Sequence, residues 1–146
     1  MEIRKIRNDG YVYIDKTALI HKLVNSGSYY FLSRPRRFGK SLLLSTMYSY
    51  FNADRELFKG LALNSLEPEE WTKYPVLRLD FSHRGYNTPY DLPKALADTL
   101  DEWEKKYGVP NPDDTPDGRF HKLIRNIHDT TGQNVVVPVS YTHLTL

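Results

Sequence analysis

A basic loop that ends in Gly39, Lys40 and Ser41 contains the residues of this 146-residue chain with the clearest potential for chemistry. In a loop of this type the lysine reaches the β- and γ-phosphates of a nucleotide, and the hydroxyl that follows it holds Mg²⁺. The residue types and their spacing therefore predict that Lys40 binds phosphate and that Ser41 is a ligand of Mg²⁺. Basic side chains crowd the same stretch, with no acidic residue among them: Arg34, Arg36, Arg37 and Lys40.

The segments on either side of the loop predict the elements that would position it. Residues 29–32 are apolar and predict a short strand, and the leucine-rich run from Leu42 predicts a helix that is buried on nearly all sides. Backbone N–H groups of such a loop surround phosphate oxygens, and the helix N-terminus adds partial positive charge. The predicted phosphate-binding residues are Arg37, Phe38, Gly39, Lys40, Ser41 and Leu42.

One position departs from the common pattern G-x-x-x-x-G-K-[ST], because Arg34 stands where the first glycine is expected. A residue that precedes proline is restricted to extended backbone. Arg34 and Pro35 can therefore end the strand and begin the turn without glycine.

The rest of the chain alternates strand and helix patterns. Apolar runs predict strands at 75–82 and 135–137, and apolar residues at helical spacing predict helices at 89–107 and about 116–131. This order is typical of an α/β domain with a mostly parallel sheet. Ligands of such sheets bind beyond the carboxyl ends of the strands, where the basic loop is expected.

Smaller elements and two acidic residues complete the prediction. Residues 11–14 predict a short strand, and a helix that Asp15 or Thr17 caps follows it and ends near residues 25–27. Asp15 and Asp80 stand at the ends of predicted elements. Each is expected to be a cap or turn residue rather than a catalyst, with the alternative that Asp80 faces the nucleotide.

Composition and charge exclude several classes. The chain is 40% hydrophobic and 26% charged, as in an ordinary globular domain, and its net charge of +2 is too small to indicate nucleic-acid binding by itself. It contains no cysteine for a disulfide or a Cys-based metal site. No run approaches the ~20 apolar residues of a membrane span, and the N-terminus lacks the apolar core of a signal peptide. We therefore expect a cytoplasmic protein without a membrane partner.

Several motifs taken together resemble one known family. They are Tyr13 to Thr17 (YIDKT), Phe31 to Ser41 (FLSRPRRFGKS), Tyr50-Phe51, Glu56 to Leu61 (ELFKGL), Trp71 and Tyr74 to Val76 (YPV). The combination resembles the AAA-ATPase-like family, whose N-terminal P-loop domain is often followed by a restriction-endonuclease-like nuclease domain. The resemblance implies ATP and Mg²⁺ as cofactors, a three-layer P-loop NTPase domain of the AAA-like type, and Arg34 as a family trait.

The tail departs from what this resemblance implies. The strand at 135–137 should lead into a Walker B segment, whose aspartate and glutamate hold Mg²⁺ and activate water, yet no acidic residue follows Asp129. Pro138 should also interrupt the ladder of a central strand. We therefore expect residues 1–137 to be the N-terminal part of an incomplete P-loop domain. Residues 138–146 are expected to be a non-native tail, because residues 140–146 resemble translated adapter sequence. The competing explanation is a genuine ATP-binding module that does not hydrolyse ATP.

The leading functional hypothesis is therefore ATP binding without hydrolysis by this chain alone. One alternative is a nucleic-acid-binding module that uses the basic loop, and a full-length parent could also have nucleic acid as a partner. Another is a structural fragment without a ligand. The sequence does not indicate an oligomeric state.

Overall fold

The computed structural model describes residues 2–33, 39–81, 88–110 and 115–140. The chain forms two compact units, which we call the N-terminal unit (residues 1–73) and the C-terminal unit (residues 74–146). Helices occur in both units, and a parallel pair of strands occurs in the second. This mixture of helices and parallel strands fits the predicted α/β class.

The N-terminal unit is helical in its described residues. Its helices are α1 (Ile3–Asn8), α2 (Thr17–Ser26), α3 (Lys40–Phe51), a 3₁₀ helix (Arg55–Phe58) and α4 (Ala62–Leu66). The predicted helix before the basic loop is confirmed as α2, and the helix after it as α3.

Aromatic and aliphatic side chains form the core of the N-terminal unit. Trp71 packs edge-on against Tyr50 and Phe58, with ring centroids 5.2 and 5.1 Å apart. Its Nε1 donates a hydrogen bond of 3.0 Å to the carbonyl oxygen of Glu67, which fixes the polar segment after α4 to the core. The fully buried members of this core are Ile3, Ile20, Phe58 and Leu63.

The orientation of α3 differs from the prediction of a helix buried on nearly all sides. Its buried residues are Ser45, Thr46, Ser49 and Tyr50, whereas its leucines are only half-buried. A hydroxyl can be buried at little cost when it bonds to a carbonyl of the preceding turn. The hydroxyls of Ser45 and Thr46 make such bonds to the carbonyl oxygen of Leu42. The hydrophobic pattern of the helix did not indicate that this polar face is buried.

The strands predicted at 11–14 and 29–32 are not strands in this structure. Val12 is 92% exposed and Tyr29 is 96% exposed, so these apolar residues face solvent. The hydroxyl of Tyr30 instead donates a hydrogen bond to the carbonyl oxygen of Leu23 in α2. A strand requires a neighbouring strand for its backbone hydrogen bonds, and an apolar pattern alone does not supply one.

In the C-terminal unit, two helices accompany a short parallel sheet. The elements are β1 (Leu79–Asp80), α5 (Asp91–Tyr107), α6 (Pro116–Thr131) and β2 (Val139–Ser140). Both helices agree with their predicted ranges, and each ends at a glycine with positive φ, Gly108 and Gly132. The core of this unit consists of Leu77, Leu100, Val109, Leu123 and Ile127.

The two strands pair in parallel. β1 is shorter than the predicted range of 75–82, and β2 lies outside the predicted range of 135–137. Leu79 lies opposite Val139, and a separate bridge joins Val76 to Val136. The interruption between these pairings falls at Pro138, which accepts a hydrogen bond from the N–H of Leu79 but has no N–H of its own. The pairing resumes beyond the proline, so β2 lies in residues that the sequence assigned to the tail. The boundary at residue 137 stays a prediction.

Candidate functional site

The structure describes only part of the predicted phosphate-binding loop. Gly39, Lys40, Ser41 and Leu42 are described, and they form the start of α3. Arg37 and Phe38, together with Arg34 and Arg36, lie outside the described residues.

Gly39 is the N-cap of α3 and has left-handed backbone angles, with φ of 80° and ψ of 17°. A Cβ atom at this position would meet no atom within 4 Å, so a steric clash is not the reason for glycine here. The positive φ requires it, because a residue with a Cβ adopts this conformation at a cost of ~1–2 kcal/mol. The carbonyl oxygen of Gly39 accepts the first hydrogen bond of the helix, from the N–H of Leu43 at 2.9 Å.

The first turn of α3 presents backbone donors. The N–H groups of Lys40, Ser41 and Leu42 have no acceptor within the helix, because their partners would lie four residues earlier. Gly39 has no side chain to cap them, and the first turn contains no acidic residue. The partial positive charge of this helix end therefore meets no carboxylate within its own first turn. Such an end can bind an anion.

The side chains of this turn are suitably accessible for a ligand. Ser41 is exposed and Lys40 is half-buried. The lysine ammonium can therefore reach solvent while its aliphatic stem packs against the protein. The serine hydroxyl is open to a cation that would accompany a bound phosphate.

Asp15 has a structural role that the structure makes clear. Its Oδ1 accepts hydrogen bonds from the N–H and the hydroxyl of Thr17, at 2.9 and 2.7 Å, and its Oδ2 accepts one from the N–H of Ala62 at 2.7 Å. Burial by itself would raise the pKa of this carboxyl, but the hydrogen bonds outweigh it and the net pKa is below the ordinary value. Asp15 thus bonds to the first residues of α2 and α4. The N-cap of α2 is Lys16, however, so neither Asp15 nor Thr17 occupies the predicted cap position. Asp80 is exposed and is the last residue of β1, which agrees with its predicted place at the end of an element.

A buried ion cluster in the C-terminal unit was not found from the sequence. Arg119 of α6 donates from Nε to Glu104 Oε1 at 2.8 Å, and its Nη2 lies 2.6 Å from Asp101 Oδ1. Burial by itself would lower the pKa of Arg119, but hydrogen bonds to both carboxylates raise it above the ordinary value. A signal was available, because Glu104 is four residues after Leu100 and Arg119 four before Leu123. Both charges therefore fall on the apolar faces of their helices.

Comparison with known proteins places the chain in a family. The family model described as predicted AAA-ATPase, AAA-ATPase-like, matches residues 1–140. The chain belongs to the AAA-ATPase-like family. This confirms the resemblance inferred from the motifs, and the family description supports a nucleotide-binding theme in general terms. The associated nuclease domain stays a prediction.

The chain is also similar to a protein of Azotobacter chroococcum mcd 1 that is named as an uncharacterized protein in the vnfD 5' region. It is 39% identical to the chain over 137 residues, which are 92% of this chain and 26% of that protein. The chain therefore spans about a quarter of the length of this relative. No solved structure matches the chain significantly.

The cofactors that the AAA-ATPase-like family implies are compatible with the described part of the loop. A triphosphate needs backbone donors and a positive charge, which the first turn of α3 and Lys40 offer. Mg²⁺ is held in such sites by a hydroxyl and phosphate oxygens rather than by a protein cage, and Ser41 supplies an exposed hydroxyl.

Within the described ranges, no cluster of three or more His, Cys, Asp or Glu residues could hold a metal. No helix in those ranges is long and apolar enough to cross a membrane.

Proposed function

We propose that this chain binds ATP together with Mg²⁺ through a P-loop at residues 37–42. The observation that carries the proposal is the left-handed Gly39 at the start of α3, followed directly by Lys40 and Ser41. This conformation turns the backbone from the loop into the helix and leaves the first-turn N–H groups directed out of the helix end. Membership in a family described as predicted AAA-ATPases supports the same conclusion.

Each residue of the loop has a separate role in this proposal. The backbone N–H groups of residues 37–42 donate hydrogen bonds to phosphate oxygens. Lys40 neutralises the β- and γ-phosphates, and the hydroxyl of Ser41 is a ligand of Mg²⁺. When bound, the metal neutralises charge on the phosphate oxygens; the protein positions the triphosphate around it.

The finer fold belongs to the proposal as well. We infer a three-layer P-loop NTPase domain of the AAA-like type within residues 1–137. The parallel bridge between Val76 and Val136 supports it, because parallel strands joined through helices are the basis of that fold.

The test compares ATP-dependent thermal stabilisation in the parent chain and in Lys40→Ala. A ligand at a hundred times its dissociation constant stabilises the native state by ~2.7 kcal/mol, so a tight MgATP complex raises the melting temperature of the parent chain measurably. We expect Lys40→Ala to lose this rise, because the phosphate charge is no longer neutralised. The matched control is Lys22→Ala, which removes an exposed lysine of α2 in the same unit and should keep the full response.

An equal ATP response in Lys40→Ala would contradict the proposal. The same samples should then be tested with DNA at low and high salt, because binding that salt weakens and ATP does not displace indicates a nucleic-acid site. Phosphate release is measured in parallel. The sequence-based expectation is that this chain alone releases none.

A further inference from the structure

The N-terminal helix α1 is too short to be stable by itself. It has six residues, and isolated helices shorter than about 12 residues are marginal in water. Ile3 is fully buried and Ile6 is 5% exposed, so one face of α1 packs into the core. The helical state of α1 therefore depends on its contacts with the rest of the N-terminal unit.

The first N–H group of α1 is capped by a residue of another helix. An N–H group at this position has no acceptor within its own helix, and the side chain of the N-cap residue Glu2 does not supply one. The N–H of Ile3 instead donates to Ser45 Oγ of α3 at 3.1 Å in a buried bond. Ser45 thus does for α1 what a capping side chain usually does for its own helix, although it lies 42 positions away along the chain.

The same hydroxyl also forms a hydrogen bond within α3. Ser45 is 4% exposed, and its Oγ donates to the carbonyl oxygen of Leu42 at 3.0 Å. Leu42 is the last of the proposed phosphate-binding residues. One buried hydroxyl therefore accepts a hydrogen bond from the start of α1 and donates one into the first turn of α3. Hydrogen bonds that share a group in this way polarise and strengthen one another.

The other end of α1 is fixed to the segment that follows α3. The guanidinium of Arg7 donates from Nε to the carbonyl oxygen of Leu57 at 3.0 Å and from Nη2 to that of Lys59. Arg4 forms an ion pair of 2.7 Å with Asp54, but its side chain is 56% exposed, so this pair contributes little. Hydrogen bonds at its two ends therefore join α1 to the first half of α3 and to the 3₁₀ helix beyond it.

We propose that Ser45 is a positioning residue, which couples the docking of α1 to the first turn of α3 and thereby to the phosphate donors. Its role in binding rests on the proposed ATP site. When α1 is docked, the bond from Ile3 holds the hydroxyl of Ser45 in the orientation that donates to Leu42. Coupling between two sites is reciprocal. Bound ATP should therefore stabilise docked α1 by the factor by which docked α1 increases the affinity for ATP.

The first experiment needs no nucleotide. Hydrogen–deuterium exchange is measured for the amides of Ile6 and Asp9, each of which donates to the carbonyl oxygen four residues earlier while α1 is helical. Loss of the cap in Ser45→Ala should raise both exchange rates about fivefold. The matched control is Ser49→Ala, one turn further along α3, because Ser49 is also 4% exposed. Unchanged exchange in Ser45→Ala, or an equal rise in Ser49→Ala, would overturn the capping role of Ser45.

A second variant loosens α1 from its other end. Arg7→Met removes the two hydrogen bonds to the carbonyl groups of residues 57 and 59 and leaves Ser45 in place. Because the coupling acts through the docking of α1, this variant should also raise exchange in α1 and weaken ATP binding. Arg4→Met is its control, since it removes only an exposed ion pair of the same helix.

The second experiment measures the dissociation constant for MgATP in all four variants and in the parent chain. We expect it to rise about fivefold in Ser45→Ala and Arg7→Met, and to stay near the parent value in Ser49→Ala and Arg4→Met. Exchange in α1 is then repeated with saturating MgATP. The nucleotide should slow the exchange of the same two α1 amides about fivefold in the parent chain, and Ser45→Ala should lose this response.

The outcomes separate the coupling from the ATP site itself. An ATP affinity that is unchanged in both Ser45→Ala and Arg7→Met would overturn the coupling and leave the ATP site standing. A loss of affinity in Ser45→Ala alone would also overturn it, because Ser45 would then act on Leu42 without α1. So would ATP binding by the parent chain that leaves exchange in α1 unchanged. If exchange in α1 rises in Ser45→Ala while the parent chain binds no ATP, the cap is supported and the proposed function itself fails.

Discussion

The two units bury polar side chains in different ways. In the described residues of the N-terminal unit, the buried polar side chains all carry neutral hydroxyls: Thr17, Ser45, Thr46 and Ser49. In those of the C-terminal unit, the buried polar side chains are the charged pair Glu104 and Arg119. In the N-terminal unit, the hydroxyls of Thr17, Ser45 and Thr46 are satisfied by hydrogen bonds to nearby acceptors. In the C-terminal unit, the buried charges are satisfied by an ion pair between α5 and α6.

This difference has a predictable energetic consequence. A buried hydroxyl can be replaced by a methyl group at moderate cost, because its partners lose a hydrogen bond but no charge is left buried without a partner. A buried carboxylate that loses its cation remains charged in a poorly solvated place, which is far more costly. The loss of one partner should therefore destabilise the C-terminal unit more than the N-terminal unit.

The largest effect is expected for Arg119→Met. Glu104 is 4% exposed, and this substitution removes the cation that lies 2.6 Å from its Oε1. We expect the free energy of unfolding to fall by about 3–5 kcal/mol, measured by urea denaturation. The control is Arg125→Met on the same helix, which changes an exposed arginine and should stay within about 0.5 kcal/mol of the parent chain.

A double variant sharpens this prediction. Glu104→Leu combined with Arg119→Met removes both buried charges and fills the space with apolar groups. Such replacements are often neutral or stabilising, so the double variant should recover most of the loss. A double variant as unstable as Arg119→Met alone would indicate that packing, and not the uncompensated charge, causes the destabilisation.

A smaller effect is expected for Thr17→Val in the N-terminal unit. Valine has nearly the same shape, but it cannot accept the hydrogen bond from the N–H of Leu63 or donate the one that Asp15 Oδ1 accepts. Leu63 is fully buried, so its unpaired N–H should cost about 1–3 kcal/mol. Thr99→Val is the control. The hydroxyl of Thr99 donates to the carbonyl oxygen of Ala95, which keeps its backbone hydrogen bond within α5 when the hydroxyl is removed. Equal losses in the two variants would show that the methyl replacement, and not the unpaired N–H, is responsible.

The sequence predicted those elements whose signals are local. Helices α5 and α6 were predicted because apolar residues recur at helical spacing and glycines stand at both C-termini, where positive φ is required. The parallel arrangement of 75–82 with 135–137 followed in outline from the alternation of strands and helices, but the pairing at Val139 and Ser140 lies in the predicted tail. Residues 29–32 do not form a strand. Strand formation depends on a neighbouring strand, which a local sequence pattern does not reveal.

The candidate site was predictable to a similar degree. The tripeptide at residues 39–41 located the start of α3, and the glycine there has the conformation that a turn into a helix needs. The burial of Ser45 and Thr46 was not predictable, because serine and threonine within a leucine-rich helix give no sign of facing inward. The ion cluster was missed because charged residues on helices usually face solvent. The spacing of Glu104 from Leu100 and of Arg119 from Leu123 indicates burial only when the apolar face of each helix is traced.

The smallest effect, and one that depends on pH, is expected for Asp15→Asn. Asparagine can still accept a bond from Thr17, but its amide group cannot accept the one that Ala62 donates to Oδ2. At pH 7 we expect a loss of about 1 kcal/mol in the free energy of unfolding, the usual size for one such bond. Because folding lowers the pKa of Asp15, its contribution is complete above the unfolded value of ~3.9 and is lost as the pH falls through the lower folded value.

The measurement is urea denaturation of the parent chain and Asp15→Asn at pH 7 and at a series of values down to pH 2. The difference between the two should be constant above about pH 5 and shrink at lower pH, since protonated Asp15 resembles asparagine in charge. Asp98→Asn on the exposed face of α5 is the matched control and should show little difference at any pH. A difference that stays constant down to pH 2 would mean that the shape of the side chain, and not its charge, stabilises the starts of α2 and α4.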